Sequence, residues 1–236
     1  MQVLMPMAGA GSRFTAAGYD VPKPFIRVNG QPMYLGALSD IVPREALPTT
    51  KVVCVIQPSM RNYFETTSPG GIVCVETAGL TEGAACSALL AEPYFALDEM
   101  LVVCNSDQRL TVDFDADIPP DSIPDAVVLT FPATDSKWSY LTRAADGTIT
   151  GLVEKPASPP SDLATCGVYV FRTARLFFDA VRAMIAANDR TRGEFYLAPA
   201  LNHLPKPLKI ASFPVAEMHG LGTPEDLRTY LQRPRQ

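Results

Sequence analysis

The run Gly9-Ala10-Gly11-Ser12-Arg13 stands directly behind an apolar, strand-like stretch, Val3-Leu4-Met5-Pro6-Met7. Glycines at 9 and 11 let backbone amides converge on phosphate oxygens where a side chain would block the approach. Pro22-Lys23-Pro24 adds a second cation ten residues after the first. Arg13 can grip a phosphate with its planar fork, and Lys23 supplies a point charge. Two familiar meanings of Gly-x-Gly after a strand fail on the residues present. A dinucleotide fingerprint needs a third glycine where Phe14 stands and an acidic residue closing the second strand, where Gln57 stands. A Walker A loop needs Gly-Lys-Ser/Thr, which is absent. What survives is a loop suited to a triphosphate, set against the plain alternative of ordinary surface cations.

A second cluster, Val102-Val103-Cys104-Asn105-Ser106-Asp107, ends an apolar run on a carboxylate. Open α/β sheets bind ligands at that edge of their strands, and magnesium is held by one or two carboxylates together with substrate phosphates. Asp107 therefore reads as a Mg²⁺ ligand, with a turn-initiating aspartate as the alternative. Glu154-Lys155-Pro156 places an acid and a base at the end of another strand-like run, where a solvated strand end is the plain reading. Ala164-Thr165-Cys166-Gly167-Val168-Tyr169 and Gly193-Glu194-Phe195-Tyr196-Leu197 complete the set.

The elements that must position these clusters are visible as periodicity. Short apolar runs predict strands over 2–7, 51–56, 72–75, 101–104, 126–131, 166–171 and 208–213, several without polar alternation, as strands covered on both faces should be. Helical spacing falls between them over 33–41, 84–91, 173–187 and 224–231, with Thr173 as an N-cap. Asn29-Gly30 predicts a hairpin turn, and a second hairpin spans 139–153 with Asp146-Gly147 at its tip. Pro119-Pro120 and Pro159-Pro160 read as surface loops. The alternation predicts an α/β fold, a three-layer α/β/α sandwich on a mixed, mostly parallel sheet, with residues 1–236 forming one domain.

Of the 236 residues 47% are apolar and 19% charged, with a net charge of -5, which excludes a disordered chain and gives no basic field for nucleic acid. No window is apolar enough to span a membrane and the start lacks a basic signal-peptide region, so a cytoplasmic protein is expected. Cys54, Cys74, Cys86, Cys104 and Cys166 are odd in number and never paired as Cys-x-x-Cys, so they read as small buried hydrophobes rather than as a disulfide or zinc framework.

Taken in order, Gly-x-Gly-Ser-Arg, Pro-Lys-Pro, strand-Asn-x-Asp, Glu-Lys-Pro, Gly-Val-Tyr-x-Phe, Glu-Phe-Tyr-Leu and Gly-Thr-Pro-Glu-Asp-Leu resemble the sugar-phosphate nucleotidyltransferase superfamily over nearly the whole chain. The resemblance implies a Rossmann-like, glycosyltransferase-A type fold. It also implies a Mg²⁺-dependent reaction in which a small phosphate monoester takes a nucleoside monophosphate from a triphosphate and pyrophosphate leaves. Catalysis would be mostly charge neutralisation and alignment. Carried over by position, Arg13, Lys23 and Asp107 are the catalytic candidates. Met7, Ala8, Gly9, Ala10, Gly11, Ser12, Thr81, Glu82, Gly83, Ala84, Asn105 and Ser106 fall where the family holds the nucleotide. Tyr140, Glu154, Lys155, Gly167, Glu194 and Tyr196 fall where it holds the acceptor. The implied partners are these two small molecules, without nucleic acid or membrane, with a homodimer as a possible assembly.

One position departs from the pattern. The family often carries a second metal-binding aspartate where Gly220 stands, so the second ligand is open among water, His219, Glu217 and Asp226. The segments Glu82-Gly83-Ala84-Ala85-Cys86, Ser139-Tyr140 and His219-Gly220-Leu221-Gly222 also resemble, more loosely, capsule cytidylyltransferases such as the CDP-glutamine-forming enzyme. CTP or dTTP is the expected triphosphate, with Glu82 either accepting from the cytosine amine or simply facing solvent in a first helical turn. The alternatives are cytidylyl transfer to a phosphorylated amide or alcohol for surface polysaccharide and a catalytically silent nucleotide-binding module.

Overall fold

The computed structural model describes residues 1–119, 123–206 and 209–233. Along the chain run β1 (Gln2–Pro6), α1 (Ser12–Ala16), β2 (Arg27–Val28), β3 (Gln31–Pro32), α2 (Met33–Ser39), β4 (Lys51–Ile56), α3 (Arg61–Thr67), β5 (Ile72–Glu76) and α4 (Ala84–Leu89). There follow β6 (Leu101–Cys104), β7 (Gln108–Thr111), α5 (Phe114–Asp117), β8 (Ala126–Pro132), β9 (Ser139–Arg143), β10 (Ile149–Glu154) and β11 (Leu163–Phe171). The chain closes with α6 (Ala174–Ala186), α7 (Leu197–Ala200), β12 (Ile210–Pro214), β13 (Glu217–Gly220) and α8 (Pro224–Leu231).

Nine strands form one mixed sheet, in the order β10-β9-β11-β6-β1-β4-β5, with β8 beside β11 and β12 beside β8. The block β6-β1-β4-β5 is parallel, as is β12 with β8, while β11 runs antiparallel to β6, β8 and β9. Because successive side chains alternate, Val3 and Met5 of β1 point into one core and Leu4 into the other. The Leu4 face is covered by α4, α6 and α7, and the Val3 face by α2 and α3. Covering on both sides is why these strands carry no polar alternation; each such side chain contributes roughly 1.5–3 kcal/mol relative to exposure. A third, smaller core of Phe14, Ile26, Val28, Met33, Leu221 and Leu227 ties α1 to the β2–β3 hairpin and to α8. Phe14 is thus fixed by packing in the place where a dinucleotide fold would need glycine.

The expected strands and helices are present, with ends shifted by a few residues. Asn29 and Gly30 take φ of 51° and 91°, as the hairpin turn requires, and Gly147 takes 85° at the tip of the second hairpin. Leu208, Pro120 and the tail beyond Arg233 lie outside the described residues, so the strand expected over 208–213 is seen from Ile210. Thr173 does stand at the N-cap of α6, but its hydroxyl makes no capping bond. Instead the amides of Ala174 and Arg175 donate to the carbonyls of Glu99 (2.8 Å) and Leu97 (2.9 Å), so the loop before β6 caps the helix. The short helices α1, α3, α5 and α7 carry too few turns for periodicity to reveal them. The antiparallel ribbon of β7 and β13, joining Gln108–Thr111 to Glu217–Gly220, gives no local signal at all. All five cysteines are free, with Cys54, Cys104 and Cys166 buried. Among the described residues no helix is long and apolar enough to cross a membrane.

Candidate active site

A cleft of about 500 Å³ opens at the carboxyl ends of β1 and β6. Met7 to Arg13 form its floor, Lys23 and Asn105 to Gln108 one side, and Leu80, Thr81, Gly83, Ala84 and Ser87 the roof toward α4. Trp138, Ser139, Glu154, Lys155, Gly167, Glu194 and Tyr196 complete the lining.

Gly11 enters α1 with φ 62°, and a Cβ there would lie 3.3 Å from Cβ of Lys23, so the glycine lets the lysine segment pack against the loop. Gln57, which stands where a dinucleotide site would have an acid, donates Nε2 to the Ala8 carbonyl at 2.7 Å and fixes the loop from below. Lys23 Nζ lies 2.8 Å from Asp107 Oδ2, so this cation and the carboxylate neutralise each other at the edge of the cleft. Asp107 is held at its own carbonyl by the Leu221 amide at 2.7 Å, a contact supplied by the β7–β13 ribbon. A Cβ on Gly222 would come 3.2 Å from Asp107 Oδ2, so its absence leaves that carboxylate open to the cleft. One open carboxylate beside a phosphate loop is a donor set that fits Mg²⁺, whose remaining places are filled by phosphate oxygens and water. Among the described residues no three His, Cys, Asp or Glu side chains gather as an all-protein metal cage.

The Glu154 carboxylate accepts a bond from Ser139 Oγ and lies 3.3 Å from Lys155 Nζ. Lys155 takes φ 45°, a left-handed conformation that costs a non-glycine residue of order 1 kcal/mol. It is held there from several directions. Its amide donates to the Trp138 carbonyl at 3.1 Å, its carbonyl accepts from Arg192 Nη2 at 3.3 Å, and its ammonium sits 4.0 Å above the Tyr196 ring. Gly167, with φ 73°, breaks the register of β11 against β8 and meets Asn105 so closely that a Cβ would lie 2.8 Å from its Cγ. Tyr169 lies deeper in the wall; burial first, then the Glu154 charge, pushes its phenol well up, so it stays protonated.

Two expected site residues do not reach the cleft. Tyr140 is fully buried and its hydroxyl donates to the Asp135 carbonyl at 2.7 Å, because β9 turns Ser139 outward and its neighbour therefore inward. Glu82 is exposed, paired with Arg190 and absent from the lining of the cleft. The other expected residues line the cleft together. Trp138, Lys137 and Ser87 join them without having been singled out; the Ser139-Tyr140 pair pointed near the first two and the run ending at Cys86 near the third.

The departure at Gly220 has a steric cause. A Cβ there would clash with the Cη2 edge of the Trp138 ring, so no carboxylate fits unless the indole moves. His219 shares its Nε2 with Glu217 (3.1 Å) and Arg233 (2.8 Å) in a side pocket behind Trp138 and does not line the cleft. Asp226 does line it, but accepts from Thr223 Oγ1 at 2.7 Å and pairs with Lys137 at 2.9 Å.

A family model described as nucleotidyl transferase matches residues 3–195. A UTP–glucose-1-phosphate uridylyltransferase, AglF, of Haloferax volcanii is 25% identical over 210 residues, covering 86% of this chain and 83% of that protein. A glucose-1-phosphate thymidylyltransferase of Streptomyces antibioticus is 26% identical over 215 residues; the match takes in 86% of this chain but only 57% of that longer protein. In three dimensions the crystal structure of a nucleoside-diphosphate-sugar pyrophosphorylase from Vibrio cholerae superposes with a TM-score of 0.79 at 23% identity, covering 98% of this chain and 100% of the other. That likeness is one of fold.

Proposed function

The chain belongs to the nucleotidyl transferase family, and from that premise we propose that it transfers a pyrimidine nucleotide from its triphosphate to a sugar 1-phosphate, releasing pyrophosphate. The observation that carries this reading is that one cleft is lined by a glycine loop, Arg13, Lys23 and Asp107 together with Glu154, Lys155, Glu194 and Tyr196. An oxygen of the acceptor phosphate attacks the α-phosphorus, a new P–O bond forms, and the bond from that phosphorus to the pyrophosphate oxygen breaks in line. Two anions must meet, so alignment and charge neutralisation do most of the work.

Arg13 takes the triphosphate by its fork, and Lys23 exchanges its Asp107 partner for phosphate oxygens as the nucleotide enters. Asp107 is the residue that would hold Mg²⁺, which supplies charge neutralisation to the phosphates when bound. Lys155, aimed by its left-handed backbone and the Tyr196 ring, receives the acceptor phosphate. Glu154, anchored by Ser139, accepts from sugar hydroxyls, and Glu194 adds a second acceptor nearby.

The base meets Thr81, Gly83 and Ala84, small residues that leave backbone within reach, under the exposed Leu80. With Glu82 turned to Arg190, no carboxylate in this loop favours the cytosine amine. The uridylyl and thymidylyl names of two relatives agree with a uracil-type or thymine-type base, and both names carry glucose 1-phosphate as acceptor. The test is a pyrophosphate-release screen of four ribonucleoside triphosphates and dTTP against sugar 1-phosphates and phosphorylated amides and alcohols. Release with UTP or dTTP and a hexose 1-phosphate is expected. Preference for ATP or GTP refutes the pyrimidine, preference for a phosphorylated amide refutes the sugar, and no release from any pair leaves a silent binding module.

A further inference from the structure

The loop before α4, which roofs the base end of the cleft, and the loop before α7, which walls the acceptor end, are built into one another. Phe195 lies between Glu194 and Tyr196, both of which line the cleft. Its amide donates to the Glu82 carbonyl at 2.8 Å and its carbonyl accepts from the Ala85 amide at 3.1 Å, a two-bond rung between the loops. Gly83 sits inside that rung at φ 134°, with no room for a side chain against the Phe195 backbone. Over the rung lies Arg190, its guanidinium carbon 4.1 Å from the centroid of the buried Phe195 ring. Every nitrogen of its fork is engaged: Nε donates to Asn188 Oδ1 at 2.7 Å, Nη1 to the Gly193 carbonyl at 3.0 Å, and Nη2 to the Glu82 carboxylate. Arg190 and Glu82 both stand outside the cleft, so whatever they do for the reaction they do through the loops they join.

We propose that Arg190 is a positioning residue which, with Glu82, makes the triphosphate and the acceptor bind as a coupled pair; the proposal rests on the transfer reaction above. A nucleotide that fixes Thr81 and Gly83 fixes Phe195 through the rung. Tyr196 follows, and with it the ring on which the Lys155 ammonium rests. Linkage makes the effect reciprocal, so acceptor must tighten nucleotide by the factor with which nucleotide tightens acceptor.

Trp138 is the chain's single tryptophan and lines the cleft, so its fluorescence reports binding directly. The probes are the α,β-methylene analogues of UTP and dTTP, which bind without transfer, titrated with and without saturating glucose 1-phosphate. In the native protein the acceptor is expected to tighten the analogue by about fivefold or more. Arg190→Ala and Glu82→Ala should each bring that factor close to one and raise KM for both substrates more than they lower kcat. Arg190→Lys should restore part of the coupling, and the exchanged pair E82R/R190E more than either single change. Glu82 is well exposed, so Glu82→Ala keeps the test available if Arg190→Ala fails to fold. Coupling that persists in these variants overturns the proposal. So does an equal loss of both affinities with the factor unchanged, which is what a merely structural role gives. A native protein that turns over with a factor of one overturns this inference alone, whereas no pyrophosphate release from either triphosphate removes the reading beneath it as well.

Discussion

Replacing Gly83 by alanine tests the docking of the two loops most directly. The new Cβ would lie 2.6 Å from the Phe195 nitrogen and closer still to its carbonyl oxygen, so the loops must part by roughly 1 Å to regain ordinary van der Waals contact. A shift of that size stretches the 2.8 Å and 3.1 Å rungs beyond hydrogen-bond length and removes about 1 kcal/mol for each. The backbone, at φ 134° and ψ 170°, lies in a region essentially reserved for glycine, which costs alanine a further ~1–3 kcal/mol. Against these stands a gain of about 0.4–1 kcal/mol from the stiffer unfolded chain. The net loss is about 3 kcal/mol, which for a chain of this size lowers Tm by roughly 6–12 °C. Calorimetry of Gly83→Ala beside Gly79→Ala measures it, because a Cβ on Gly79 meets nothing within 4 Å. KM for triphosphate and for acceptor should rise together in Gly83→Ala and stay put in Gly79→Ala. If the two variants melt alike, or if only the nucleotide parameters of Gly83→Ala change, the docking carries no weight.

Asp107→Ala should abolish Mg²⁺-dependent turnover while leaving the melting curve near native, since its side chain lies at the cleft edge; full turnover in that variant or in chelator contradicts the metal assignment. Arg13→Ala and Lys23→Ala should slow turnover by on the order of 10²-fold. Lys155→Ala should instead chiefly raise the acceptor KM, and damage confined to the triphosphate would reverse the assignment. Burial pushes the Cys104 thiol from 9.0 up to about 12 and raises Cys54 and Cys166 as well. Because the folded values lie above the unfolded one, this stability is whole below about pH 9 and is lost as pH climbs toward 12. Urea midpoints measured from pH 8 to 11 should therefore fall above pH 9, and a flat profile counts against buried protonated thiols.

The placement of the strand-end residues was legible in the sequence because each piece of it is local. An apolar run ending in Gly-Ala-Gly-Ser-Arg or in Asn-Ser-Asp carries its own strand and its own loop, and hydrophobic burial on both faces leaves little choice about where such strands go. Arg13, Lys23, Asp107 and Lys155 consequently meet in one cleft, as their motifs predict. What the chain does not write locally is which distant group a side chain meets. Ser139 and Tyr140 sit side by side, and strand alternation sends one to the cleft and one to the core; only the pairing of β9 with β10 and β11 decides which. Glu82 faces a partner 108 residues away, and Gly220 is small because an indole 82 positions earlier occupies the space its side chain would need. The β7–β13 ribbon that holds Asp107 joins segments with no shared periodicity. These choices come from close packing and from pairing between remote strands, which exist only once the whole sheet has formed.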